Sequence, residues 1–122
     1  PQFKKKFKLE GKTKRESDKL LKEAKLIEEA GAFSIVIECL SPTSAKLITN
    51  KLSIPTIGIG SSSHCDGQVL VTDDMLGISG FYPKFVKKYI NLNTVIEKAV
   101  KKYNKEVKNR LFPKNKNFLY GK

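Results

Sequence analysis

The sequence predicts an α/β protein built on a short sheet of parallel strands, and three observations carry that prediction. Segments with helical and strand-like patterning alternate along the chain. The run Ala32–Leu40, AFSIVIECL, is mostly apolar and rich in β-branched residues, too short for a helix and too apolar for a half-exposed strand. The length of 122 residues holds one modest domain, about half of the roughly 250 residues that a single-chain (β/α)8 barrel takes.

Each element follows from local signals. Glu16 to Ala30 repeats Leu20, Leu21, Ala24, Ile27 and Ala30 at near-helical spacing. Thr13 is placed as N-cap, with Glu16 completing a capping box, and Gly31 lies where a helix C-terminus favours it. Ala32–Leu40 then reads as a parallel strand buried on both faces. Ser41-Pro42 opens a second helix with Ala45, Leu47, Ile48 and Leu52 on its apolar side, since proline loses nothing in a first turn. Ile54 to Gly60, IPTIGIG, is a second strand, and Gln68 to Val71 a short third one after a serine-rich loop. An acidic turn follows at Asp73-Asp74, then helices over Pro83–Tyr89 and Thr94–Val107, and a basic, irregular tail that Pro113 punctuates. There is no internal repeat or low-complexity segment. Three parallel strands leave open edges, so the isolated chain is expected to be aggregation-prone or poorly folded.

Composition restricts the function classes. The hydrophobic content of 39% argues against wholesale disorder. No apolar run approaches the ~20 residues of a membrane span. The opening PQFKKKFKLEGK lacks the apolar centre and cleavage site of a secretory signal, which makes the cytoplasm the expected compartment. Cys39 and Cys65 stand in no metal-spaced or disulfide-type pattern and read as free thiols. The net charge of +12 invites a nucleic-acid reading. However, the basic residues are 22 Lys and only 2 Arg, Arg15 and Arg110, spread over both ends. Base readout and forked phosphate contacts favour arginine, so nucleic acid is disfavoured as a partner.

The residues able to carry chemistry sit near strand ends, where parallel α/β sheets place function. Glu38 terminates Ile35-Val36-Ile37, so its carboxylate is expected at the carboxyl end of a buried strand, where desolvation raises a carboxyl toward a useful base. Such a group suits proton abstraction beside a carbonyl; the alternative is a structural carboxylate paired with a lysine or capping the next helix. Gly58-Ile59-Gly60 with Ser61, Ser62 and Ser63 offers an anion-binding loop of backbone N–H groups, although the third glycine of a dinucleotide fingerprint is absent. His64-Cys65-Asp66-Gly67-Gln68 gathers a base, a thiol and an acid, and sequence neighbours on a loop more often serve its structure. Asp73 and Asp74 suit either a cation or, the favoured reading, a turn and a cap.

Taken together, Gly11-Lys12-Thr13, EEAGAFSIVIECL from Glu28, KLSIPTIGIG from Lys51, HCDGQVLV from His64, DMLG from Asp74 and PKFVKKY from Pro83 resemble the C-terminal half of the ketopantoate hydroxymethyltransferase (3-methyl-2-oxobutanoate hydroxymethyltransferase) family. The resemblance implies a single partial domain over residues 1–122. It would be the C-terminal portion, strands six to eight with their helices, of a (β/α)8 TIM barrel of the phosphoenolpyruvate mutase and isocitrate lyase type. The implied reaction is hydroxymethyl transfer from 5,10-methylenetetrahydrofolate to 3-methyl-2-oxobutanoate, giving 2-dehydropantoate for pantothenate and coenzyme A. Magnesium is the implied cofactor. Glu38 in IVIEC matches the family's general base at the end of the sixth strand. The metal-binding carboxylates, a substrate-binding Lys and Ser, and an active-site His belong to the family's first five strands. The metal ligands and the barrel's N-terminal half are therefore expected outside this chain, as a partner subunit or as the rest of a longer chain. The family's decameric assembly is expected only of the complete barrel.

The sequence departs from the family's usual words at three places. GIGAG is Gly58-Ile59-Gly60-Ser61-Ser62 here, Leu-His before the aspartate is Thr72-Asp73, and His-Ser-Phe is Lys116-Asn117-Phe118. Two other readings stand beside the enzyme: a basic binding module using Lys4, Lys5, Lys6, Lys8 and the C-terminal lysines, and an inactive remnant.

Overall fold

The computed structural model describes residues 7–114. These form two compact units, residues 7–71 with 82–86, and residues 72–81 with 87–114. Lys4, Lys5, Lys6 and the Lys116-Asn117-Phe118 stretch lie outside the described residues.

In the first unit, helix α1 spans Lys14–Glu29. It starts where the sequence places it: the Thr13 hydroxyl accepts from the Glu16 N–H, and the Glu16 carboxylate accepts from the Thr13 and Lys12 N–H groups. Those two backbone donors, Thr13 first, hold the Glu16 carboxyl below its usual range. Strand β1 is Ile35–Glu38, helix α2 is Pro42–Lys51 with Ser41 as N-cap, and strands β2 and β3 are Thr56–Ile59 and Gly67–Gln68. The three strands are parallel in the order β1-β2-β3, with Ile35 opposite Thr56, Glu38 opposite Ile59 and Ile57 opposite Gly67.

Both helices pack on the sheet face that carries Ile35 and Ile37. Ala24 of α1, Ile37 and Leu40 at β1, Ala45 and Ile48 of α2, and Cys65 make one buried cluster, with Leu20, Leu21, Ile35 and Leu52 around it. The alternation of a strand then sends Val36 and Glu38 to the other face. No helix of this unit covers that face, so Val36 is 61% exposed and Glu38 is exposed. This corrects the expectation that the apolar run is buried on both sides.

Polar groups fix how the pieces meet. Gly11 lies at φ +71, and a Cβ there would come within 2.3 Å of the Ser44 hydroxyl. Its carbonyl accepts from the hydroxyls of Ser41 at 2.5 Å and Ser44 at 2.7 Å, which ties the segment before α1 to the N-terminus of α2. The β2–β3 crossover occupies only residues 60–66, well short of the dozen or more residues a parallel connection usually takes. Cys65 sinks into the core from this loop. Asp66 closes it, its carboxylate accepting from the N–H of Thr56 at 2.8 Å and from the Thr56 hydroxyl at 3.0 Å.

In the second unit, the acidic turn winds into a short helix α3, Thr72–Leu76, whose Asp73 and Asp74 sit in the first turn, the favourable end of the helix dipole. Helix α4 spans Leu92–Lys108 behind the N-cap Asn91. Its polar side carries ion pairs between Lys101 and Glu97 and between Lys102 and Glu106, while Val95, Ile96, Val100 and Tyr103 are exposed. The helix expected over Pro83–Tyr89 does not form. Val86 N–H bonds to the Pro83 carbonyl in one turn, and Tyr89 N–H bonds instead to the Met75 carbonyl at 2.9 Å. The repeating i to i−4 ladder is lost to that longer-range bond.

Asp66 yields a pH prediction. Donation from the Thr56 N–H, and then from its hydroxyl, holds this carboxyl below its usual range. A carboxyl depressed in the folded state contributes stability that is complete above its ordinary value and is lost as pH falls through the folded one. Asp66→Ala is therefore expected to lower the urea midpoint at about pH 7, with the difference from the parent narrowing at about pH 3. An equal difference at both values would contradict the assignment.

Candidate active site

The carboxyl ends of β1 and β2 gather the residues with chemical potential. Glu38 is the last residue of β1, opposite Ile59 and on the uncovered face. The burial expected of its side chain is not found: Glu38 stands exposed beside a strand face that no helix of this unit covers.

Directly after Glu38 the backbone turns sharply. Cys39 adopts φ 53, a left-handed conformation unusual for a residue with a Cβ. Its N–H still reaches the Ile59 carbonyl at 3.0 Å, while its own carbonyl accepts from Glu10 N–H at 2.9 Å. The Glu10 carbonyl in turn receives the Ser41 N–H at 2.8 Å. Glu10 thereby forms a parallel bridge beside Leu40 and brings the segment before α1 to the rim of the sheet. The Ser61 hydroxyl completes the turn, donating to the Ile37 carbonyl at 2.9 Å and accepting from Leu40 N–H at 3.0 Å.

The Cys39 thiol is buried, and that burial, followed by the neighbouring Glu38 charge, pushes its pKa up. A thiol kept protonated in this way is a poor nucleophile.

The loop after β2 is shaped by Gly60, at φ +58, against which the Phe85 ring packs so closely that a Cβ would lie 2.7 Å from its carbons. Phe7 meets Phe85 edge to face, with centroids 5.4 Å apart. Further along the same loop His64 N–H bonds to the Ser62 hydroxyl and Cys65 N–H to the Ser62 carbonyl. Gln68 Nε2 also donates to the Ser62 carbonyl at 2.8 Å.

The trio His64, Cys65 and Asp66 diverges. His64 is exposed, Cys65 is buried in the core and Asp66 is bound to Thr56. These are the roles of a structural loop. Among the described residues, no group of three or more His, Cys, Asp or Glu side chains is placed to hold a metal ion. No described helix is long and apolar enough to cross a membrane.

Sequence reasoning singled out Glu38, and it missed Glu10 and the role of Ser61. Glu10 is exposed and lies 3.9 Å from Lys8, an ion pair too solvated to hold much order. Neither residue carries a local sequence signal, since both act through contacts distant in the chain.

Comparison with known proteins was made against this geometry. The sequence model of the family described as ketopantoate hydroxymethyltransferase matches residues 1–115. A 3-methyl-2-oxobutanoate hydroxymethyltransferase of Syntrophus aciditrophicus is 56% identical over 108 residues, covering 88% of this chain and 40% of the relative. One from Enterococcus faecalis is 53% identical over 108 residues, covering 88% and 39%. The Sulfolobus acidocaldarius protein of that name is 50% identical over 112 residues, covering 92% and 42%. The chain thus spans about two fifths of the length of the curated relatives it matches, in their C-terminal part.

The loop geometry is testable at Gly60. Gly60→Ala adds a Cβ to a left-handed residue and drives it against Phe85, and the expected cost is about 1–3 kcal/mol of stability. A urea midpoint unchanged from the parent would show that the ring is not held there.

Proposed function

The chain belongs to the ketopantoate hydroxymethyltransferase family, and from that premise we propose that it forms the C-terminal part of a 3-methyl-2-oxobutanoate hydroxymethyltransferase in which Glu38 is the general base. The observation that supports this reading is the placement of Glu38. It is the last residue of a parallel strand, it lies on the face opposite the helices, and the backbone on both sides of it is pinned. Catalytic groups of (β/α)8 barrels stand at that end of their strands.

In this reading the uncovered face of β1 and β2 turns toward the barrel interior, and the outer edge of β1 continues into the barrel's N-terminal half. A shallow cleft of about 120 Å³ along that edge, lined by Leu20, Ile27, Ile35 and Val36 with Glu23 and Glu38, offers a mostly apolar surface to a neighbouring element. In this reading the rest of the barrel encloses the Glu38 side chain, which is exposed here.

The chemistry asked of Glu38 is proton transfer. Its carboxylate takes the proton from the carbon beside the carbonyl of 3-methyl-2-oxobutanoate, and the electron pair left behind forms the enolate. That carbon then bonds to the one-carbon unit brought by 5,10-methylenetetrahydrofolate; water supplies the hydroxyl oxygen, the two carbon–nitrogen bonds to the folate break, and tetrahydrofolate leaves. Magnesium, the cofactor the resemblance implies, finds no ligand set among the described residues. Its ligands belong to the remainder of the barrel in this reading. Assembly into decamers and a cytoplasmic location are carried over with the complete enzyme as part of the same proposal.

Glu38→Gln keeps the shape of the side chain and removes its basicity. In the complete enzyme containing this chain it is expected to lower turnover by about 10²–10⁴-fold, the usual contribution of a positioned acid or base, with assembly intact by native mass. Turnover within a few-fold of the parent would sink the assignment.

A further inference from the structure

We infer that Ser61 is a positioning residue for Glu38, clamping the turn that aims its carboxylate; this rests on the reading of Glu38 as the general base. In this chain the β1–β2 ladder does not hold that turn by itself, and the side chain that completes it stands where the family's usual GIGAG has alanine, so the device is particular to this sequence. It runs as far as the bond from Cys39 N–H to the Ile59 carbonyl, and the left-handed backbone of Cys39 then sends the next carbonyl away toward Glu10. Regular pairing therefore stops one residue past Glu38. The Leu40 N–H is left without a backbone partner in a residue that is 9% exposed.

The Ser61 hydroxyl occupies that gap. A hydroxyl has one proton to give and lone pairs to accept with, and here it uses both: it gives the proton to the Ile37 carbonyl and accepts the Leu40 N–H. One side chain thus spans the residues on either side of Glu38-Cys39. It fixes the peptide before Glu38 and the one after Cys39 relative to β2, which leaves the Glu38 backbone little freedom to rotate. The side chain is half-buried, so the bridge is partly shielded from competing water. Ser61 is itself held, because Gly60 before it is packed under Phe85, and Ser62 after it is tied to His64, Cys65 and Gln68. A firmly anchored hydroxyl can transmit order to the turn it touches. Ser61 lies beside the reacting groups in this account and acts on them only through Glu38.

The test uses the complete enzyme with Ser61→Ala, Ser61→Thr and Glu38→Gln. Ser61→Ala is expected to lower kcat about tenfold, inside the roughly hundredfold that an ångström-scale misplacement can cost, while KM stays within about twofold because substrate contacts are unchanged. The Leu40 amide is expected to exchange with solvent about tenfold faster once its acceptor is gone. Ser61→Thr, which keeps the hydroxyl, is expected to restore both readouts. If Ser61→Ala keeps the parent kcat while Glu38→Gln abolishes turnover, the positioning role is overturned and the base reading stands. An unchanged Leu40 exchange rate overturns the bridge itself. If Glu38→Gln retains turnover, the base reading is overturned, and the positioning inference goes with it whatever the exchange data show.

Discussion

The left-handed turn at Cys39 is the constraint on which the rim of the sheet depends. A residue with a Cβ enters that region only where its surroundings leave no alternative, and three chain segments converge to impose it. The segment before α1 contributes Glu10, which takes the Cys39 carbonyl and the Ser41 N–H. The end of β2 takes the Cys39 N–H, and the loop beyond it supplies the Ser61 hydroxyl. Were Cys39 extended, β1 would run on along β2, and Ser41 would not be in place to cap α2. The turn therefore ends the strand at Glu38 and starts the helix four residues later, at Pro42. Both the core on one face and the candidate base on the other follow from it.

That turn leaves no trace in the amino-acid sequence, because cysteine does not mark left-handed backbone as glycine does. The features that were legible are those encoded within a few residues: the capping box of Thr13 and Glu16, the Ser41-Pro42 helix start, the two apolar strand runs, and Glu38 at the end of the first. Features decided by distant contacts were not. Residues 83–89 have helical periodicity, and the bond from Tyr89 to Met75 overrides it. Ser61 in a serine-rich loop is indistinguishable by sequence from a solvent-facing serine. Only the three-dimensional return of β2 beside β1 makes it a bridge. The run AFSIVIECL encodes burial on two faces, and the described residues bury one. The mismatch is physically consistent with a proposed barrel in which other residues meet Val36.

The charge of the chain does not by itself favour a binding module. Lys19, Lys101 and Lys102 lie one turn from Glu23, Glu97 and Glu106 on their helices, the ordinary arrangement of a solvated helix face. Lys8 faces Glu10. These exposed pairs are individually weak, but they intersperse both signs along the surface, whereas a phosphate-tracking stripe would concentrate one.

The altered loop keeps its side-chain polar groups paired. A buried polar group left without a partner costs about 1–3 kcal/mol. Among the described residues, no buried side-chain polar atom lacks a hydrogen-bond partner. The two positions where GIGAG becomes Gly60-Ser61-Ser62 follow that pattern. The Ser61 hydroxyl satisfies a strand-end carbonyl and a buried amide, and the Ser62 hydroxyl accepts from His64 N–H. Thr72-Asp73, another departure, begins a helix whose dipole favours the acidic residue. Hydroxyls introduced at random into a tight loop would have to be desolvated without compensation. The Ser61 hydroxyl instead closes the turn beside Glu38, and that of Ser62 takes the His64 N–H.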